Sequence, residues 1–325
     1  MEKKSENFVN RMNRMGHKGI PFLFMIDYEM LKPKIYPLGE SAKRRIFYSV
    51  NGLRNFSETL SDIKPLIFSK HPVDYTTYRI SYEKVLKELR FGNTFLTNLT
   101  FPTEIETNWS LRRIFENSNA PYRLLFKDEF VLFSPESFIR IANGIISSYP
   151  MKGTIDASVP GAREIVLTDE KEMAEHATIV DLIRNDLSMV ARDVTVKKYR
   201  YVEEIIAHDK TLLQVSSEIS GRLPSDYKSN LGTIITRLLP AGSICGAPKE
   251  STQKIIKEAE GYSRGYYTGV FGLFDGYNLD SAVMIRYIEK SENKLWYKSG
   301  GGITILSNPE KEYRELIDKV YVATH

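Results

Sequence analysis

Two pairs of glutamates have the spacing of a single helix face. Glu312 and Glu315 are three residues apart near the end of the chain. Glu172 and Glu175 repeat this spacing in its middle, so each pair points along one side of a helix. Four carboxylates around one position would need a cation, and Mg²⁺ prefers such oxygen ligands. The alternative is a solvated face for each helix, and for Glu172 a charge at a helix end.

Lys152 is the candidate nucleophile. It lies in Pro150–Thr154, next to a glycine and just after a predicted strand. A glycine neighbour lets a lysine lie close to a ligand, and a lysine removed from water can act as a nucleophile. The alternative is a solvated loop lysine.

Arg286 and the three glycines Gly300, Gly301 and Gly302 could bind an anion. Arg286 ends the apolar segment Ala282–Ile285, where an arginine is costly unless paired, and its fork matches a carboxylate. The glycines allow backbone N–H groups to approach an anion closely. The alternatives are a structural ion pair and a tight turn. The glycine run is not a P-loop, because no Gly-Lys-Ser/Thr follows it.

The histidines and the single cysteine offer less chemistry. His176 and His208 have no convincing ligand spacing, and both could be structural. One cysteine, Cys245, excludes an internal disulfide and a cysteine metal cage. It has no evident histidine partner, so we expect a small packed side chain there.

Two predicted helices must position the glutamates. Asp169–Val190 has a capping aspartate, acidic residues in its first turn and apolar residues at helical spacing. The final helix, Pro309–Val320, follows the capping residue Asn308. Further helices are predicted at Ser81–Arg90, Leu231–Leu239 and Ser251–Ala259.

Short apolar runs predict strands over much of the chain. Tyr266–Phe274 and Ser281–Glu289 are predicted to pair across a turn, and Lys294–Lys298 to form a third strand running into the glycines. Other strands are predicted at Pro21–Asp27, Pro65–Ser69, Thr94–Phe101, Arg123–Phe126, Val131–Phe133, Phe138–Ile141 and Ile145–Ser148. No linker rich in Pro, Gly or Ser is visible, so we predict a single α+β domain over residues 1–325.

The composition is that of a soluble globular protein. Of 325 residues, 42% are hydrophobic and 26% charged, and the formal net charge is only +4. The small, scattered excess of positive charge does not indicate a nucleic-acid partner. The first residues lack the apolar core of a signal peptide, and no apolar run is long enough to span a membrane. We therefore expect a cytoplasmic protein.

Seven motifs in a fixed order resemble the chorismate-utilising enzymes. This family includes anthranilate synthase component I, aminodeoxychorismate synthase component I, isochorismate synthase and salicylate synthase. In chain order the motifs are Gly92–Leu99, Ser134–Glu136, Pro150–Thr154, Glu175–Asp186, Gly242–Lys249, Asp280–Arg286 and Ser299–Lys319. They span some two-thirds of the chain. In this comparison residues 1–80 are a shortened N-terminal part, and residues 81–325 carry the catalytic motifs.

The resemblance implies a fold and a metal site. The fold is α+β, with two orthogonally packed antiparallel sheets flanked by helices in four layers and the site between the sheets. Glu175 and Glu315 resemble the direct ligands of Mg²⁺, with Glu312 close behind. The ion would hold the ring carboxylate of chorismate.

The resemblance also implies the substrate contacts. Arg286 and the backbone amides of Gly301 and Gly302 would hold the enolpyruvyl carboxylate. Ser243 and Gly246 would line the pocket.

Lys152 separates the branches of the family. Aminodeoxychorismate synthases resemble this chain in having lysine in the motif, whereas anthranilate synthases have alanine. Isochorismate and salicylate synthases use a base lysine where this chain has Leu96. The resemblance implies that Lys152 attacks C2 of chorismate as the 4-hydroxyl leaves with help from the acid Glu136. Ammonia would then enter at C4 and expel the lysine, giving 4-amino-4-deoxychorismate for 4-aminobenzoate and folate synthesis.

Nitrogen supply implies a partner. A cysteine glutaminase needs an activated thiolate beside a histidine, and the only cysteine lies in a motif that the family uses to line its pocket. We therefore expect a separate glutaminase subunit to supply ammonia.

Two positions depart from the family pattern. Leu213 stands where many relatives have a histidine, and Leu273 where many have a tyrosine. The changes would remove a polar contact near the ring and a hydrogen bond to the enolpyruvyl group. The alternatives are anthranilate synthase component I, which Lys152 disfavours, and a non-catalytic relative that binds chorismate or a glutaminase.

Overall fold

The computed structural model describes residues 2–57, 65–207 and 210–324, and these contain ten α-helices, two short 3₁₀ helices and eighteen strands. The helices are α1 (Glu2–His17), α2 (Leu38–Ser41), α3 (Tyr75–Arg90), α4 (Leu111–Asn117), α5 (Ala162–Thr168), α6 (Glu170–Ser188), α7 (Leu231–Leu238), α8 (Gly242–Cys245), α9 (Lys249–Glu260) and α10 (Pro309–Asp318). The strands are β1 (Phe22–Ile26), β2 (Lys34–Pro37), β3 (Ile46–Val50), β4 (Leu53–Arg54), β5 (Phe68–His71), β6 (Leu96–Thr107), β7 (Tyr122–Phe126), β8 (Phe130–Ser134), β9 (Ser137–Ala142), β10 (Ile145–Ser148), β11 (Met151–Asp156), β12 (Arg192–Ala207), β13 (Lys210–Arg222), β14 (Gly246–Ala247), β15 (Val270–Phe274), β16 (Leu279–Val283), β17 (Tyr287–Ser291) and β18 (Lys294–Ile303).

The strands form two antiparallel sheets. The first has the order β11-β13-β10-β9-β16-β15-β1-β2, with β12 also paired to β13. The second has the order β14-β6-β18-β17-β8-β7-β3-β4, with β5 also paired to β6. Two antiparallel sheets with flanking helices confirm the predicted fold class.

Apolar packing arranges the sheets and helices in four layers. Between the sheets, Leu23 and Phe271 of the first sheet belong to the same cluster as Leu124 and Leu132 of the second. Helices α1, α6 and α7 pack against the first sheet. Helices α3, α9 and α10 pack against the second sheet in a separate cluster. Each sheet therefore buries one face against the other sheet and one against helices.

The predicted caps of the two glutamate-bearing helices are confirmed. The Asp169 side chain accepts a hydrogen bond from the backbone N–H of Glu172 at 2.8 Å, at the start of α6. Asn308 accepts one from the N–H of Lys311 at 3.0 Å, at the start of α10. A cap satisfies an N–H group that the helix itself leaves without a partner, so these residues fix where each helix begins.

One strand prediction is wrong in a way that matters for the site. Ser281–Glu289 is not one strand: β16 belongs to the first sheet and β17 to the second. The chain changes sheet around Arg286, whose φ of 51° lies in the left-handed region. The three glycines lie inside β18, which excludes the alternative of a tight turn. An apolar run continues across the break, so periodicity alone does not reveal the change of sheet.

Several elements were missed, among them α1 and the β12–β13 hairpin. Within residues 1–80 only the strands Pro21–Asp27 and Pro65–Ser69 were predicted, but α1 spans Glu2–His17. Its apolar face is narrow, with Phe8, Met12 and Met15 buried among polar residues. The long β12–β13 hairpin was missed because charged residues interrupt its apolar alternation. Within the described ranges, no helix combines the length and the apolar character needed to cross a membrane.

Candidate active site

One cavity of about 450 Å³ brings together eight of the ten predicted site residues. They are Glu136, Lys152, Ser243, Gly246, Arg286, Gly301, Gly302 and Glu315. We call it the site cavity. The other two residues, Glu175 and Glu312, are buried beside it. A more open groove of about 420 Å³ next to α1 contains none of the ten.

The edge of β18 forms one wall of the site cavity. Strand β17 pairs with β18 only from Lys294 to Lys298, whereas β6 pairs with it as far as Ile303. Beyond Lys298, β17 no longer pairs with β18. This edge of β18 faces the cavity, and Ser299 to Gly302 line it. A strand edge carries backbone N–H groups that can bind an anion. The glycine segment can therefore act as the expected carboxylate-binding wall.

The glycines also leave room for a ligand. A Cβ on Gly302 would lie 3.7 Å from the Nζ of Lys152. A Cβ on Gly301 would lie 3.6 Å from Glu312 Oε2 and 3.7 Å from Glu315 Oε1. Side chains at these two positions would fill the space between the lysine and the carboxylates.

Lys152 faces the cavity from β11 and is ion-paired. Its Nζ lies 2.8 Å from Oε2 of Glu175, a buried residue of α6. Burial lowers the pKa of Lys152, but the Glu175 carboxylate and its hydrogen bond, with Glu172 and Glu315 further away, outweigh burial and raise it. In this state Lys152 is an ammonium group.

Glu136 has the properties of an acid. It lies between β8 and β9 and accepts a hydrogen bond from Oγ of Ser243 at 2.5 Å. Burial raises the pKa of Glu136, although Ser243, Lys152, Lys319 and Arg286 all act in the opposite direction. A carboxyl group with a raised pKa keeps its proton closer to neutral pH and can donate it to a leaving group.

The three predicted metal ligands reach the cavity region from α6 and α10. Glu315 lines the cavity, and its Oε1 lies 2.6 Å from Nζ of Lys319. Lys319 also donates a hydrogen bond to the carbonyl of Gly300 at 2.9 Å. Within the described ranges, no three acidic, histidine or cysteine side chains form a group that could hold a metal.

The donor chemistry nevertheless fits Mg²⁺. The carboxylates of Glu312 and Glu315 approach the same point beside Gly301. Glu175 lies next to the cavity, where its carboxylate contacts the Nζ of Lys152. The ammonium groups of Lys152 and Lys319 pair with Glu175 and Glu315, so they lie where a metal cation would neutralise these carboxylates. Hard oxygen ligands of this kind suit Mg²⁺, provided that the carboxylates exchange their lysine partners for the ion.

Arg286 supplies a further positive charge from the crossing between the sheets. It lines the cavity, and its guanidinium lies 5.3 Å from the ring centroid of Tyr321. The ring and the left-handed backbone together restrict the direction of the side chain.

Sequence reasoning gave no role to several polar residues of the cavity wall, among them Asn98, Gln214, Tyr267 and Lys319. Lys319 had a usable signal, since it follows Glu315 by four residues within the last motif. Gln214 precedes the buried Val215 on β13, and strand alternation could have predicted that the two face opposite ways.

The two departures from the family pattern lie outside the cavity wall. Leu213 is buried and lines a groove beside α5. Leu273 packs in the core between the sheets. Neither side chain reaches the site cavity, which Gln214 and Tyr267 do reach.

His176 and Cys245 are structural side chains. His176 is buried, with Nε2 2.6 Å from Oγ of Ser217, and burial, with Arg200 and Lys152 nearby, lowers its pKa to about 4. Cys245 is fully buried beside the hydroxyl of Tyr28, and burial raises the pKa of its thiol. His208 lies outside the described residues.

The fold and the charged cavity are those of an enzyme domain. The model of the chorismate binding enzyme family matches residues 49–325. The chain belongs to this family.

Two kinds of curated relatives are similar to the chain. An uncharacterized PabA-like protein of Haemophilus influenzae is 50% identical over 317 residues, which cover 98% of this chain and 96% of that protein. Anthranilate synthase component 1 of Acetivibrio thermocellus is 33% identical over 252 residues, which cover 73% of this chain. The matched region spans only 50% of that synthase.

Solved structures show the same fold. Anthranilate synthase component I of Streptococcus pneumoniae superimposes with a TM-score of 0.66 at 28% identity, over 79% of this chain and 59% of that one. The menaquinone-specific isochorismate synthase of Escherichia coli gives a TM-score of 0.71 at 19% identity, over 98% of this chain and 81% of that one.

Proposed function

We propose that this enzyme is the chorismate-converting component of an aminodeoxychorismate synthase, forming 4-amino-4-deoxychorismate from chorismate and ammonia. The observation that carries the proposal is that Lys152 and Glu136 line the same cavity. One can supply a nucleophile and the other an acid.

Positive charge in the cavity suits a substrate with two carboxylates. Arg286 and the edge of β18 would hold the enolpyruvyl carboxylate. Glu175, Glu312 and Glu315 would hold Mg²⁺, and the ion, when bound, would neutralise and orient the ring carboxylate.

The chemistry divides one displacement into two. The neutral amine of Lys152 forms a bond to C2 of chorismate while the ring double bonds shift and the C4–O bond breaks. Glu136 gives its proton to the departing hydroxyl, which leaves as water. Ammonia then bonds to C4, the double bonds shift back, and the C2–N bond breaks to return the Lys152 amine. The new ammonium group can return a proton to Glu136, so atoms and charge balance.

Lys152 must change state before it attacks. Its pKa is raised by the Glu175 carboxylate at 2.8 Å, and an ammonium group has no electron pair to donate. The first step therefore requires Glu175 to release the lysine and the lysine to lose its proton. The ion pair holds the amine in place until then.

Anthranilate synthesis is the second candidate. It is supported by the similarity to anthranilate synthase component 1 of Acetivibrio thermocellus. The lysine at position 152, where the resemblance to anthranilate synthases implies alanine, favours the first candidate.

A glutaminase subunit is the proposed nitrogen source. The buried thiol of Cys245, with its raised pKa, is unsuited to attack glutamine. The chain would therefore use free ammonia when alone, and ammonia released from glutamine when a partner docks.

Product identification tests the proposal. The purified chain is incubated with chorismate, Mg²⁺ and an ammonium salt, and the products are separated by chromatography. We expect 4-amino-4-deoxychorismate. Anthranilate would support the second candidate, and untouched chorismate would contradict both.

A further inference from the structure

Glu136 and Ser243 separate the site cavity from a second, smaller cavity that both residues also line. We call it the rear cavity. It has room of about 20 Å³, more than the ~10–15 Å³ that one water molecule requires. Its wall carries five polar side chains, those of Glu136, Ser137, Ser148, Asp186 and Ser243. A buried water needs two to four polar partners, so the rear cavity meets both requirements.

Asp186 is held firmly at this wall. It lies on α6 and is almost fully buried, with Oδ2 2.6 Å from Nζ of Lys249. Lys249 also donates a hydrogen bond to the carbonyl of Leu238 at 2.8 Å. Lys249 thus connects the end of α7 with the start of α9, at the two ends of the segment that carries Ser243.

The segment approaches α6 closely because it contains a glycine. A Cβ on Gly242 would lie 2.7 Å from Leu182 Cδ2 and 3.4 Å from Asp186 Oδ2. The next residue is Ser243, whose hydroxyl donates to Oε1 of Glu136. Asp186 and Glu136 therefore border one small cavity from two different elements.

We propose that the rear cavity holds one water molecule that donates a hydrogen bond to each of the two carboxyl groups, and that Asp186 is thereby a positioning residue for Glu136. The inference rests on the proposed function, in which Glu136 is the acid. With one oxygen held by Ser243 and the water, the other oxygen of Glu136 is directed toward the site cavity. Asp186 acts only through the water and the Ser243 segment.

The charges around Glu136 and Asp186 determine how substitutions should change the protonation of Glu136. Lys152, Lys319 and Arg286 face Glu136 from β11, the end of α10 and the β16–β17 crossing. Lys249 faces Asp186 from α9. Removing the negative charge of Asp186 leaves Lys249 uncompensated, which favours the carboxylate form of Glu136. Removing the water instead withdraws a hydrogen-bond donor and favours the protonated form.

Two variants test the inference through the pH dependence of kcat. Asp186→Asn should move the alkaline limb, where the acid loses its proton, to lower pH by about half a unit or more. Ser148→Val fills the rear cavity without touching the ion pair and should move this limb to higher pH. KM for chorismate should stay within about twofold in both, because neither residue lines the site cavity.

Controls separate positioning from a structural role. Asp186→Glu should restore the wild-type limb. Asp181→Asn, which removes an exposed carboxylate paired with Arg184 on the same helix, should leave it unchanged. If Asp186→Asn does not fold, Ser148→Val still decides the matter, since an unmoved limb in that variant overturns the inference. A wild-type chain that does not convert chorismate would instead contradict the proposed function.

Discussion

Lys152 forms an ion pair with Glu175 in this structure. Its proposed role as a nucleophile therefore needs a test of whether it forms a covalent bond to the substrate. We expect Lys152→Ala to lower aminodeoxychorismate formation by about 100-fold or more, as is usual when a catalytic side chain is lost. Residual product could still form by direct attack of ammonia. Activity is measured with chorismate, Mg²⁺ and an ammonium salt.

Intact-protein mass spectrometry provides the control for this prediction. After reaction with chorismate in the absence of ammonia, the wild type should carry an adduct. The variant Lys197→Ala, which removes an exposed lysine that does not line the site cavity, should carry it too. An adduct that persists in Lys152→Ala would place the nucleophile at another residue.

The glutamates of α6 and α10 give a second prediction at the scale of single residues. Glu315→Ala and Glu175→Ala should each nearly abolish chorismate turnover, because each removes a proposed oxygen ligand of Mg²⁺ and its negative charge. Asp318→Ala, an exposed residue of the same helix as Glu315, should leave turnover unchanged. Turnover is measured during a titration with Mg²⁺. Wild-type rates in either glutamate variant, without raised Mg²⁺, would exclude that residue as a ligand.

At the scale of elements, local signals predicted the helices that carry the glutamates but not the connections between sheets. Asp169 and Asn308 are short-range signals, and both cap the helix they were predicted to start. The change of sheet near Arg286 depends instead on long-range pairing, of β16 with β9 and of β17 with β8. A local sequence pattern does not predict such pairing. The motif residues were predicted by resemblance, whereas the place of Tyr267 in the cavity wall is evident only from the structure.

His176 joins α6 to β13 and should make the protein sensitive to acid. Its folded pKa of about 4 lies below the usual ~6.5, so the unfolded chain takes up a proton first as the pH falls. The contribution of neutral His176 to the free energy of unfolding is fully present above pH ~6.5. It is lost as the pH falls towards 4, and the total loss is about 3 kcal/mol. Urea unfolding at several pH values between 7.5 and 5 measures the loss.

A matched pair of histidine variants isolates this effect. His176→Asn has no proton to bind, so its stability should fall less steeply between pH 6.5 and 5 than that of the wild type. His71→Asn, which changes an exposed histidine, should keep the wild-type slope. Equal slopes for the wild type and His176→Asn would show that another group causes the acid sensitivity.

At the scale of the whole molecule, the question is whether the chain can obtain nitrogen by itself. With glutamine as sole donor, the purified chain should form no product, and addition of a glutaminase subunit should start turnover. Cys245→Ser should change neither result, because the thiol is buried in the core. Product is measured by chromatography. Glutamine-dependent turnover by the chain alone, lost in Cys245→Ser, would make the protein self-sufficient.

The packing of α1 has a consequence for the order in which the chain can fold during synthesis. Asn13 of α1 accepts a hydrogen bond from the N–H of Gly232 at 2.7 Å, and α1 packs on α7. The ribosome adds about 5–20 residues per second, so more than two hundred residues, or roughly ten to forty seconds, separate the emergence of the two helices. Throughout that time the face of α1 that packs on α7 lacks this native partner, and we expect it to be a binding site for chaperones that act on nascent chains.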